Sequence, residues 1–160
     1  MDAITDAPEG ALSLHIERRL NAPRDLVFAA WTEPRHLKRW SAPHGYAIPE
    51  CDGELRPGGQ WHATMRAPDG EDLRLVGTYR EIVPPERLVF THRWLDAEGR
   101  PGPEETLVTV VLTEIDGGTH LSFTQTGFVS GASRDGHGGG WGECFERLAA
   151  YLAAEAASAI

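Results

Sequence analysis

Cysteine is scarce in this chain: Cys51 and Cys144 are the only two among 160 residues. Two isolated cysteines do not make a disulfide framework, and no C-x-x-C pair is present to hold zinc or run redox chemistry. Long apolar runs are missing as well. None approaches the ~18–20 residues that span a bilayer. The opening MDAITDAPEG is acidic and has no apolar segment of the secretory kind. A cytoplasmic protein with no membrane partner is therefore expected. Positive charge is in deficit, with 15 Lys and Arg against 24 Asp and Glu and a formal net charge of -9. That balance repels nucleic acid. The one basic cluster, Arg18, Arg19, Arg24, Arg35, Lys38 and Arg39, lacks the interleaved aromatics of a base-stacking surface and reads as solvated strand and helix faces.

Catalytic signatures are absent too. There is no G-x-S-x-G, and no Lys-Ser/Thr pair follows the glycine tract Gly136–Gly142, so that tract is not a phosphate loop. The seven histidines, His15, His36, His44, His62, His92, His120 and His137, are scattered, and none stands in H-E-x-x-H. No metal and no cofactor are expected.

What the chain does have is a clear order of elements. Hydrophobic residues make up 41% of it, enough for a packed core, and 160 residues suit one domain. Residues 1–10 read as a disordered tail and 11–158 as the single domain. Leu12, Leu14 and Ile16 alternate with polar residues, the period of a half-buried strand. Pro23 then opens a helix with Val27, Ala30 and Trp31 on one face, and Pro34 opens a second carrying Leu37 and Trp40. Six strands follow, predicted at 46–55, 60–67, 72–83, 87–94, 105–115 and 119–128. Turns at Pro57-Gly58-Gly59, Pro68-Asp69-Gly70, Pro84-Pro85, Gly99 to Pro103 and Asp116-Gly117-Gly118 separate them. Links this short favour an antiparallel meander. The chain ends in a predicted helix of about eighteen residues, with Trp141, Phe145, Leu148 and Leu152 on one face. The glycines at 136–142 read as a mobile entrance loop ahead of it. Strands then helices, with the helices segregated, make an α+β domain.

Several stretches also resemble a known family. NAPRDLVFAAWTEPRHLKRWSAPHG (21–45) is similar to the start of START-like (SRPBCC) domains. ELRPGGQW (54–61), GTYREIVPPERLVFTHRW (77–94) and GWGECFERLAAYL (140–152) resemble the heat-shock-protein-90 ATPase activator homologue branch. The resemblance implies a helix-grip fold, with a curved antiparallel sheet wrapped around a long C-terminal helix and a hydrophobic cavity between them. It implies no shared catalytic set. The eukaryotic chaperone activators add an N-terminal domain for which this chain has no room, which weighs against a co-chaperone role.

The residues expected to line such a cavity are Trp61, Phe90, His92, Trp94, Val110, Phe123 and Gln125 from the strands, with His137, Trp141 and Phe145 from the chain's end. Tryptophans would give it flat walls and N–H donors. His92 shares a face with Leu88, Phe90 and Trp94; a hydrogen-bonded core histidine is the favoured reading, with a polar handle for a ligand or a general base as alternatives. Gln125 either orients a ligand or reaches water at a strand end. Glu50, Asp52 and Glu54 share one strand face, and Pro49 and Gly53 mark that strand as an edge or bulge, so a solvated outer face is favoured over an acid–base pair. Cys144 reads as a small buried hydrophobe. The leading function is binding of a small hydrophobic ligand. A cyclase- or hydrolase-type enzyme using a cavity base and a chaperone-linked interaction module for stress response are the alternatives; self-association as a homodimer stays open.

With no ligand spacing for a metal, thermal unfolding should be the same with and without EDTA. A large EDTA-induced fall in Tm would show that a metal contributes to folding.

Overall fold

Glycine and proline set the reversals of this chain, and the strands run between them. The computed structural model describes residues 12–158; the predicted tail at 1–10 lies outside them. The elements are β1 (Leu12–Leu20), α1 (Arg24–Thr32), α2 (Pro34–Trp40), β2 (Ala47–Gly53), β3 (Gln60–Arg66), β4 (Asp72–Val83), β5 (Arg87–Leu95), β6 (Pro101–Ile115), β7 (Gly118–Phe128) and α3 (Gly131–Ser158). One antiparallel sheet holds all seven strands in the order β1-β7-β6-β5-β4-β3-β2. This is the α+β helix-grip arrangement, with two short helices after strand one and a long helix at the end. The hairpin at Asp116-Gly117 forms as expected. Gly117 sits at φ 77°, where a side chain would be strained.

The two edge strands are β1 and β2, and the register of β2 with β3 slips between Ala47 and Glu50, around Pro49. Proline, lacking an N–H, is tolerated at such a place. Glu50 and Asp52 are exposed there, and Glu54 follows the strand's end. Glu50 pairs with His62 at 2.9 Å and accepts a hydrogen bond from Thr64, so this carboxylate faces solvent and local partners.

On the helical side, Val27, Ala30 and Trp31 are buried, as their spacing predicts. Trp40 is fully buried; its Nε1 donates to the Ala30 carbonyl at 2.9 Å and its ring meets Trp31 edge-on at 4.8 Å. These contacts fix α1 against α2.

The end of the chain departs from expectation. α3 has 28 residues and starts at Gly131, so Gly136–Gly142 is helix and not an entrance loop. Each helical glycine costs about 1 kcal/mol relative to alanine, so the tract would not hold a helix by itself. Tertiary contacts hold it instead. Ser130 Oγ accepts the Ser133 N–H at 3.0 Å, in the manner of an N-cap, and Ser133 Oγ donates to Glu104 at 2.8 Å. His137 and Trp141 are bonded to the sheet, as described below. Beyond the tract the apolar stripe behaves as predicted: Phe145, Leu148 and Leu152 are buried and Trp141 packs against the core cluster.

Arg147 ties α3 to the connection between α2 and β2. Its guanidinium donates to the carbonyls of Ala42 (2.6 Å), Pro43 (3.2 Å), Tyr46 (3.2 Å) and Arg39 (3.4 Å). Nearby, the His44 N–H donates to Glu143 and its ring meets Glu146 at 2.9 Å. The backbone of α3 approaches β1, β7, α1 and α2 but none of β2–β5. One half of the sheet is thus closed by the helix and the other half is not.

Two glycines should respond oppositely to a methyl group. At exposed Gly139 an added Cβ meets nothing within 4 Å, so Gly139→Ala should stabilise the fold by up to about 1 kcal/mol in a urea titration. At Gly77 the Cβ would lie 1.9 Å from the Thr91 carbonyl oxygen, so Gly77→Ala should destabilise by forcing β4 from β5.

Candidate functional site

Where α3 stands away from the sheet, a pocket of about 450 Å³ lies between β2–β5, α1, α2 and the first half of α3. Its sheet wall comes from alternate residues: Trp61 and Met65 of β3, Leu75 and Tyr79 of β4, Phe90, His92 and Trp94 of β5. Its helical wall is Ser133, Gly136, His137, Gly140, Trp141 and Cys144, whose spacing places them on one face of α3. Two of the glycines that seemed to mark a loop therefore face the pocket and leave it room. All five tryptophans of the chain, Trp31, Trp40, Trp61, Trp94 and Trp141, contribute to the lining.

Of the ten residues expected at a cavity, Trp61, Phe90, His92, Trp94, His137 and Trp141 are brought together here. Val110, Phe123, Gln125 and Phe145 are not; they are at most 1% exposed and lie in the core under the closed half of the sheet. The reason is packing. Phe123 meets Trp141 at 4.7 Å, Phe145 at 5.3 Å and Trp31 at 6.2 Å, which fills the space between β7 and the helices.

Gln125 neither meets a ligand nor reaches water. Its Oε1 accepts from Trp141 Nε1 at 2.8 Å, and its Nε2 donates to Thr106 Oγ1 at 2.8 Å. Thr106 Oγ1 in turn donates to the His92 carbonyl at 3.2 Å. A continuous hydrogen-bonded line thus runs from α3 through β7 and β6 to β5. A second clamp lies nearer the helix start: Trp94 Nε1 donates to His137 Nε2 at 3.0 Å, which leaves the proton on Nδ1 to bond the Ser133 carbonyl at 2.8 Å. Both nitrogens of His137 are occupied.

His92 is different. It is 5% exposed, yet no hydrogen bond joins its ring to any other described residue and only its own backbone is within reach, so it is not the fully satisfied core histidine that burial alone suggests. Nor are its nitrogens among the sealed, unpaired polar atoms, which are Trp31 Nε1, His36 Nε2, Trp61 Nε1 and Arg93 Nε. Its ring stands 5.6 Å from Trp94, 5.9 Å from His137, 6.1 Å from Trp61 and 6.3 Å from Trp141. Gly77, opposite on β4, has no side chain to intrude, and Trp61 packs over it. Burial, and then the neighbouring His137, push the His92 pKa down to about 3. The imidazole is uncharged at neutral pH and is a weak base. Burial also pushes the Cys144 thiol up to about 12, which keeps it protonated and unreactive. Among the described residues, no three His, Cys, Asp or Glu side chains converge as metal ligands.

The sequence reading missed the part of the lining that β4 and α2 supply, notably Leu37, Leu75 and Tyr79. The signal was present: Leu73, Leu75, Gly77 and Tyr79 alternate with Arg74, Val76, Thr78 and Arg80.

Comparison with known proteins agrees with this architecture. The family model described as activator of Hsp90 ATPase homolog 1-like protein matches residues 21–153. The chain belongs to that family. Similar solved structures include the AHSA1 protein of Silicibacter pomeroyi, 26% identical with a TM-score of 0.82, the match covering 90% of this chain and 99% of that one. A Nitrosomonas europaea protein is 29% identical with a TM-score of 0.78, over 91% and 97% of the two chains. A protein from Arthrobacter aurescens is 27% identical with a TM-score of 0.80, over 94% and 91%. Comparison with curated proteins finds no match.

The low basicity of His92 should show in the acid limb of stability. Its folded pKa of about 3 lies below the ordinary 6.5. Above 6.5 neither state binds the proton and the linkage costs nothing. As pH falls from there towards 3, the unfolded chain takes up a proton that the folded ring refuses, and stability is lost. Urea titrations across this range should give a shallower acid decline for His92→Leu than for wild type; equal slopes would mean that the ring titrates normally.

Proposed function

We propose that this member of the family binds a compact apolar or aromatic molecule between the sheet and the N-terminal half of α3, as a carrier or sensor. The observation behind this reading is the unfilled volume of about 450 Å³ with Trp31, Trp61, Trp94 and Trp141 in its walls, in a fold whose other half packs densely. Small-molecule pockets commonly fall at roughly 300–1,000 Å³, with mostly apolar walls and few polar groups. No Lys or Arg lines this one.

An enzyme using His92 as general base is the weaker reading. A general base works best with a pKa near the operating pH, whereas this one is held at about 3. A neutral imidazole suits recognition better than proton abstraction.

Gly140 provides the test. An added Cβ there meets only Pro43 Cγ, at 3.7 Å, and a longer side chain extends into the pocket. Gly140→Leu should keep or raise the Tm, because leucine is the better helix former. It should also weaken naphthalene binding, followed by equilibrium dialysis, at least about tenfold, or 1.4 kcal/mol. Unchanged affinity in the folded variant would put the probe elsewhere and remove this reading.

A further inference from the structure

We propose that the pocket takes an uncharged molecule carrying a hydroxyl group, and that this hydroxyl hydrogen-bonds the imidazole of His92. The proposal rests on the ligand-binding reading above and names the chemistry of its ligand.

Three observations support it. The first is the unmet valence of His92. Its ring is nearly buried, lines the pocket and is bonded to no other described residue, so beyond its own backbone it leaves a nitrogen unmet, while His137 beside it has two partners. A buried polar group left alone costs free energy, and a partner delivered by the ligand removes that cost. The second is polarity. A neutral imidazole offers a donor on one ring nitrogen and an acceptor on the other, and a hydroxyl, being both donor and acceptor, can pair with whichever faces the pocket. The third is charge. The pocket has no Lys or Arg, and its one carboxylate, Asp52, is exposed and accepts from the Gly53 N–H at 2.8 Å. No buried counter-charge awaits an anion or a cation, and burying either unpaired is costly. The aromatic rings around His92 leave flat apolar surface for the rest of the molecule.

Tyr79 is the rival partner. It is 7% exposed, lines the same pocket, and its hydroxyl is bonded to no described residue. It lies two residues along β4 from Gly77, the position opposite His92, so the two side chains share the pocket-facing side of the sheet. Separate variants can tell them apart.

Naphthalene, 2-naphthol and 2-naphthoate form a matched set, to be measured by equilibrium dialysis at pH 7 on the full chain. Wild type should bind 2-naphthol about three- to tenfold more tightly than naphthalene, the worth of one net hydrogen bond, and 2-naphthoate more weakly than 2-naphthol. In His92→Leu the ratio of 2-naphthol to naphthalene affinity should fall to about one, whatever happens to the affinity for naphthalene itself. His92→Gln, which keeps a donor and an acceptor, should retain it, and so should Tyr79→Phe. Should His92→Leu fail to fold, His92→Phe, which keeps a ring in place, carries the same comparison. Naphthalene binding without any hydroxyl preference in wild type overturns this proposal alone. A preference that survives loss of His92, or is lost in Tyr79→Phe, reassigns the contact and overturns it too; so does tighter binding of 2-naphthoate. Failure of both naphthalene and 2-naphthol to bind wild type overturns the ligand-binding reading itself.

Discussion

The line of hydrogen bonds from Trp141 through Gln125 and Thr106 to the His92 carbonyl decides where α3 lies. It joins the helix to three neighbouring strands through groups that are largely shut off from water. A buried amide such as Gln125 is costly unless both its ends are paired, and only one placement of Trp141 and Thr106 pairs them. With Trp141 held there, Phe123 and Phe145 close on it, and the helix lies along β7 and β1. The β2–β5 half of the sheet is left without the backbone of α3 against it. The pocket is thus the geometric remainder of a clamp made elsewhere.

That clamp also explains how a glycine-rich segment stays helical. Local propensity alone would leave 136–142 frayed. Ser130 Oγ holds the Ser133 N–H, His137 bonds Trp94 on β5, and Trp141 bonds Gln125 on β7, so the segment is held at 133, 137 and 141, about one turn apart. Glycine at 136 and 140 then serves the pocket, since any larger residue would occupy it. Helical order and open volume, which usually compete, are reconciled because side chains outside the tract supply the stability.

Much of the architecture was legible from local rules. Pro23 and Pro34 opened their helices, Asp116-Gly117 made its hairpin, and β4 runs over Asp72–Val83 as its alternation predicted. These features depend on backbone freedom and period, which a sequence displays directly. The site was legible only in part. Trp61, Phe90, His92, Trp94, His137 and Trp141 face the pocket, but the inward alternation of β6 and β7 is equally apolar, and nothing local says which half of a sheet a helix will cover. Val110, Phe123, Gln125 and Phe145 went to the covered half for that reason. The state of His92 was likewise hidden, because whether a buried imidazole has a partner depends on residues distant in sequence.

Arg147 holds the connection between α2 and β2 through main-chain carbonyls alone. Every residue type carries that carbonyl, so the attachment is indifferent to most of the side chains it secures. Gly45, at φ 85°, is a fixed point, and Ser41 Oγ holds the end of α2 by donating to the Leu37 carbonyl at 2.7 Å, but Pro43 and Tyr46, which line the pocket, meet Arg147 through their carbonyls alone. Positions 43 and 46 can therefore be rewritten without loosening the Arg147 fastening. A lineage, or a designer, seeking a new ligand for this scaffold would find there its freest alphabet.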